Sequence, residues 1–329
     1  MEGGRELTPH LKKAFTMKSQ PRSVLTLYLK GVAMGAADAV PGVSGGTIAF
    51  ISGIYEELIR SIRSFDLTAL RQMWRLDFKQ AWEHVNGPFL AVLFAGIGTA
   101  IFLLSRLMLF WLAYYPEMLW SFFFGLIVAS AIVVAKKIPE WDLAAGLCGI
   151  GGVWIGYFIT IAVPAETPTT PGFVFLSGMI AICAMILPGI SGSFILVLLS
   201  KYEYIFTAIK DLKLFTLFTF GTGCAVGLIS FSHLLNWTLK RYYGPTVALL
   251  TGLMIGSLNK VWPWKIVMES LTKPDGEVIP LVERNILPTL YLEATGREAY
   301  LLYAVLLAIA GFCLVYFLEK LTDRDLVGP

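Results

Sequence analysis

Apolar runs at 88–112, 117–135, 143–163, 214–239, 245–262 and 299–318 dominate the chain. Each is close to the ~20 residues that a helix needs to cross a bilayer, so the pattern predicts six transmembrane helices. Two further apolar stretches are interrupted. Residues 24–40 and 46–59 flank the break in ADAVPGVSGGT, residues 37–47. As helices they would measure ~25 and ~21 Å, short of a ~30 Å hydrocarbon core. A re-entrant hairpin over 23–60 is therefore expected, with its turn at Pro41 and Gly42: proline lacks an amide proton and disfavours helix at the residue before it, and glycine permits the reversal. Between the hairpin and the first span, residues 66–85 place Leu67, Leu70, Trp74, Ala81 and Val85 near helical spacing, with Arg71, Arg75 and Lys79 interspersed. That alternation predicts one interfacial amphipathic helix.

Composition agrees with the pattern. The 329 residues are 56% hydrophobic and 15% charged, with a mean hydropathy of +0.70, the balance of an integral membrane protein. The basic N-terminus has no short apolar run with a small-residue cleavage site after it, so no removable signal peptide is expected. Cys148, Cys183, Cys224 and Cys313 stand singly in apolar segments, without metal or redox spacing, and read as packing residues. The net charge of +3 is small, and its cations do not cluster with aromatic residues, which removes nucleic-acid binding from consideration.

The interrupted motif recurs. PGVSGGTIAFISGIYEE from Pro41 aligns without a gap to PGISGSFILVLLSKYEY from Pro188, sharing Pro-Gly-x-Ser-Gly and a Tyr-Glu pair at Tyr55–Glu56 and Tyr202–Glu203. The chain reads as two repeats, 1–163 and 164–329. Each has a re-entrant hairpin, 23–60 or 172–207, followed by three spans, and the second carries a loop at 263–298. Because a hairpin adds no net crossing, three spans invert the second repeat. With the N-terminus in the cytoplasm, the inner regions carry sixteen Lys and Arg and the outer regions eight, so the positive-inside rule places both termini in the cytoplasm. The fold class expected is an all-α polytopic membrane protein of two inverted repeats.

Hairpins entering from opposite faces would bring their turns together at the midplane. Unfolded backbone is tolerated there only where protein or water satisfies it. The second arm of each hairpin starts just after its serine, aiming free amides and the positive dipole end at the membrane centre. With hydroxyls from Ser44, Thr47, Ser191 and Ser193, and glycines at Gly45, Gly46 and Gly192 that admit close approach, these ends suit a phosphate group; Pro188 and Gly189 form the second turn. The alternative is that the hydroxyls only cap the half-helices. Charges in apolar segments are functional candidates by default. Arg106 can pair with Asp38 or hold an anionic headgroup, or, like Lys30, snorkel to an interface. Asp38, Glu56, Glu203, Lys30 and His233 are candidates for coupling or gating, with His233 equally readable as a satisfied helix residue.

The stretches GVAMGAADAVPGVSGGTIAFISGIYEELI and LPGISGSFILVLLSKYE resemble the DUF368 membrane proteins, the polyprenyl-phosphate transporter family, over essentially the whole chain. The resemblance implies a flippase that returns undecaprenyl phosphate, the lipid carrier of cell-envelope synthesis, to the inner leaflet of the bacterial cytoplasmic membrane. It implies no cofactor or metal, and it leaves room for proton or sodium coupling. Phe194 stands where the first repeat has Thr47, Ser193 where it has Gly46, and Met185 where it has Asp38, which argues against equivalent ligand contacts in the two repeats. A small-anion channel or transporter would use the same half-helix geometry. A polyprenyl-pyrophosphate phosphatase is the enzyme alternative, but Gly45 and Gly192 follow the serines where such enzymes have arginine. No histidine lies in either hairpin to serve a nucleophile, and a non-enzyme is expected.

Overall fold

A computed structural model describes residues 23–38, 45–272 and 278–326. The motif residues Pro41, Gly42 and Ser44 lie outside the described residues. Helices α1 (Val24–Asp38), α2 (Gly45–Ile51) and α3 (Tyr55–Arg63) cover the first interrupted stretch. Two short helices, α4 (Leu67–Trp74) and α5 (Phe78–His84), precede three long ones, α6 (Gly87–Tyr114), α7 (Pro116–Ala135) and α8 (Leu143–Ile161). The second interrupted stretch gives α9 (Pro171–Ile186), α10 (Gly192–Leu198) and α11 (Tyr202–Lys210), followed by α12 (Leu214–Arg241) and α13 (Tyr243–Ser257). Strands β1 (Lys265–Thr272) and β2 (Val278–Asn285), helix α14 (Pro288–Thr295) and helix α15 (Leu301–Leu326) complete the chain.

The register that superposes Pro41 on Pro188 carries α2 onto α10 and α3 onto α11 residue for residue, at seven and nine residues each. Helices α6 and α12 both have 28 residues. The second arm of each hairpin is shorter than its apolar run suggests. In place of one helix over 46–59, the chain turns at Gly53, φ 70°, and at the matching Ser200, φ 51°. The amides of Ile54 and Lys201 reach back to the carbonyls of Ala49 and Leu196, while those of Gly53 and Ser200 bond Phe50 and Val197. Those bonds form a left-handed C-terminal cap that ends the helix. Beyond it α11 bends 106° away from α10.

The same device corrects the single helix expected over 66–85. Leu76 at φ 59° splits it, with the amides of Asp77 and Leu76 bonding Gln72 and Met73. Asp66 and Asp77 then cap the two pieces, Asp66 accepting from the amides of Thr68 at 2.8 Å and Ala69 at 3.0 Å. His84 Nε2 lies 3.1 Å from the same Asp66 oxygen and pins α5 to the start of α4. These bonds, Ala69's first, hold the Asp66 carboxyl below the usual carboxylate range. Their stabilisation is therefore present at neutral pH and is lost as the pH falls through the lowered value. Asp66→Ala should cost about 1 kcal/mol, read as a lower unfolding temperature in detergent at pH 7 and little difference in acid.

Packing explains how the long helices find each other. The first arms lie against the first long helix of their own half, α1 on α6 and α9 on α12, while the later helices exchange partners: α8 packs on α13 and α15 on α7. The α8–α13 contact is lined by Gly152 and Gly156 facing Gly252 and Gly256; a Cβ on Gly152 would stand 3.0 Å from the Gly252 Cα. Small residues let two backbones meet where lipid removes the hydrophobic drive for association. At the centre α7 and α13 bury most of their length. Phe102, Trp154, Phe158, Phe215, Phe218 and Leu302 are large apolar side chains left exposed, as suits helices that face lipid.

Among the described residues, α7, α8 and α12 are each long and apolar enough to cross a membrane on their own. The span expected at 245–262 is shorter, since α13 ends at Ser257. The loop expected at 263–298 holds the antiparallel pair β1–β2 and α14, so the helical fold carries one small β-hairpin. That hairpin is fastened by polar bonds: Trp262 and Trp264 donate to the carbonyls of Ile286 and Ala299, both at 2.9 Å. The Tyr291 hydroxyl donates to the buried Glu117 at the start of α7.

Candidate functional site

The two motifs touch. Thr47, fully buried near the start of α2, accepts a 3.0 Å hydrogen bond through Oγ1 from the amide of Gly189 in the second turn. Gly189 has φ +88°, and a Cβ there would meet Ser257 Oγ at 2.8 Å and Met254 Cα at 3.0 Å, so the turn is seated against the end of α13. A second bond reinforces the first: the buried Tyr55 hydroxyl donates to the carbonyl of Ile186, the last residue of α9, at 3.1 Å.

The two half-helix starts are not alike. At the first, Asp38 Oδ1 accepts the amide of Gly45 at 2.7 Å. A Cβ on Gly45 would lie 2.9 Å from that oxygen, which explains the glycine. The leading amide of α2 is therefore already matched with a carboxylate from within the chain. At the second, Ser191 takes the N-cap position of α10 without a side-chain cap bond, and its Oγ pairs with Ser193 Oγ at 2.8 Å. Ser191 is half-buried, Ser193 exposed, and Pro188 and Gly189 are buried. A cleft at this second turn is lined by Gly189, Ile190, Ser191, Phe194, Thr160 and Lys260.

The remaining candidates are dispersed. Lys30, half-buried on α1, donates to the Ser52 carbonyl at 2.7 Å and so closes the far end of α2. Glu56 and Glu203 are exposed in the first turns of α3 and α11. His233 is exposed on α12, with Nδ1 2.8 Å from the Ile229 carbonyl of its own helix. Arg106 lies within α6, its side chain outside the described residues. Gly46 is buried in α2 and Gly192 half-buried in α10.

Sequence reasoning did not single out Lys260, Lys265 or Glu283, and it marked Tyr55 only as a repeated motif residue. Lys260 Nζ donates to Glu283 Oε2 at 2.8 Å and stands 4.4 Å from the Phe194 ring centroid; Lys265 Nζ stands 4.0 Å from that of Trp120. Asn259 joins this cap to the cleft, donating to Thr160 Oγ1 and accepting from Asn285, each at 2.8 Å. The signal available was the segment KVWPWK, residues 260–265, two lysines set among tryptophans at the end of an apolar run.

These features define a multi-pass helical membrane protein built around two interrupted helices that interlock at its centre. The chain belongs to the undecaprenyl phosphate translocase-like family, whose profile matches residues 34–279. It is 44% identical over 308 residues to a polyprenyl-phosphate transporter of Vibrio cholerae serotype O1, covering 94% of this chain and all of the relative. It is 33% identical over 256 residues to a polyprenyl-phosphate transporter of Staphylococcus aureus, covering 71% of this chain and 85% of the relative. No solved structure matches it.

Proposed function

We propose that the protein carries undecaprenyl phosphate across the bacterial cytoplasmic membrane, from the outer to the inner leaflet, for reuse as a lipid carrier. The observation that carries this reading is the buried Thr47–Gly189 bond, which joins the start of α2 to the second motif turn; the names of the relatives supply the substrate class. The matched lengths of α2 and α10, of α3 and α11, and of α6 and α12 support two repeats, 1–163 and 164–329. Their three spans each make the repeats inverted, with both termini cytoplasmic and the β1–β2 cap outside. The pair α4–α5, with exposed Trp74, Phe78 and Trp82 beside Arg71, Arg75 and Lys79, lies on the inner surface.

The phosphate is taken at the second turn, where Ser191, Thr160 and Lys260 line the cleft and Ser191 makes no side-chain cap bond to α10. The isoprenoid tail stays in lipid. Asp38 holds the equivalent place at the first turn and couples the exchange of access to protons. Purified protein in liposomes should transfer polyprenyl phosphate between leaflets, measured by accessibility of the headgroup to an external phosphatase. Correctly inserted protein that leaves the leaflet distribution unchanged would falsify the reading.

A further inference from the structure

The cleft's lysine is already engaged by a carboxylate. Lys260 follows the last turn of α13, and its ammonium group reaches Glu283 on β2 at 2.8 Å. The same oxygen, Oε2, lies 3.4 Å from Lys265 Nζ, which also donates to the Lys260 carbonyl at 2.6 Å. The three side chains are only 15%, 14% and 6% exposed for Lys260, Glu283 and Lys265. Among the described residues, two cations thus share one anion in a sheltered place, leaving one positive charge in excess. The excess has a physical cost: burial pushes Lys265 down to about 8 despite Glu283 beside it, and Lys260 pushes the same way. Glu283, which burial alone would raise, is instead held below its usual range by the two lysines. An added anion would offset this excess charge. Lys260 lines the cleft with Ser191 and Thr160 and lies against the Phe194 ring, while Lys265 lies against Trp120 and outside the cleft lining, so Lys260 is the lysine that an anion in the cleft would meet.

Building on the transport reading above, we infer that Glu283 is an internal stand-in for the substrate's phosphate group. A phosphate monoester entering the cleft takes Lys260 from Glu283, and Glu283 keeps Lys265. The small hairpin is then a latch rather than a decoration. With the site empty, Glu283 holds β2 against the end of α13 through Lys260; with phosphate bound, one of the polar fastenings of the cap is released. An intramolecular competitor lowers apparent affinity by the fraction of time it occupies the site.

Binding of a short-chain polyprenyl phosphate to the full-length protein in detergent tests this, with inorganic phosphate as a second ligand. Glu283→Gln should bind the lipid phosphate about tenfold more tightly than wild type, and the gain should vanish in Lys260→Gln/Glu283→Gln. Tightening for both ligands assigns the site to the phosphate group itself; tightening for the lipid alone assigns it to the lipid headgroup. Should Glu283→Gln fold poorly, Glu283→Asp withdraws the carboxylate while keeping its charge, and a smaller gain is expected. Unchanged or weaker binding by a variant with wild-type unfolding temperature overturns the inference, as does a gain that survives loss of Lys260. If wild type binds lipid phosphate but the variants behave this way, the transport reading stands; if wild type binds none, both fall.

Discussion

Thr47→Val is expected to lower the unfolding temperature and to cut lipid-phosphate transfer at least about tenfold. Valine has nearly the shape of threonine, so the fully buried site stays filled. What disappears is the oxygen that receives the Gly189 amide. That amide belongs to a residue at φ +88° seated against Met254 and Ser257, with little freedom to find another partner. A buried donor left unmatched costs about 1–3 kcal/mol. Much of this should appear as loss of register between α2 and the second turn, because the same bond is what joins them. Thr47→Ser keeps the oxygen and should restore transfer at a modest stability loss from the missing methyl. The idea fails if Thr47→Val transfers lipid at the wild-type rate while its unfolding temperature drops, since the bond would then hold the fold without serving transport.

Much of this arrangement was legible in the sequence, and its gaps have identifiable causes. The register from Pro41 to Pro188 fixes which residues correspond, and α2 and α10 begin at Gly45 and Gly192 as it requires. The ends of those arms were hidden for a simple reason. Gly53 announces a left-handed residue, but Ser200 does the same work without glycine's signature. Pairing was equally hidden. Helices such as α8 are apolar on every face, so periodicity does not say that α8 leaves its own half to meet α13; only the small residues at Gly152, Gly156, Gly252 and Gly256 mark the contact, and they do not name the partner. The site showed the opposite failing. Thr47 and Gly189 were both visible as motif residues, yet their bond depends on how α2 meets a turn 142 residues away. Lys260 falls inside the apolar run 245–262, and its position beside Ser191 follows from the early end of α13 at Ser257, which the run does not mark.

The largest separation between variants at a single position is expected at Asp38. Its carboxylate accepts the Gly45 amide at 2.7 Å, and the matching residue of the second half, Met185, carries no carboxylate. Asp38→Ala removes the acceptor from the start of α2 and should destabilise the protein by about 1.5–3 kcal/mol, the range for a hydrogen bond to a charged group. Asp38→Asn separates bond from charge. The amide oxygen can still accept from Gly45, so the variant should fold with an unfolding temperature near wild type. Its side chain cannot exchange a proton. If Asp38 alternately holds and releases the leading amide of α2 as it loses and gains a proton, Asp38→Asn should freeze the first turn in one arrangement. Transfer should then fall about tenfold or more and lose its dependence on pH, while binding of lipid phosphate at the second turn persists. Such a split between binding and transfer is not what a merely structural cap would give, since Asp38→Asn preserves the cap. Wild-type transfer with a wild-type pH profile in Asp38→Asn would remove the proton from the mechanism and leave Asp38 as the residue that holds α1 to α2.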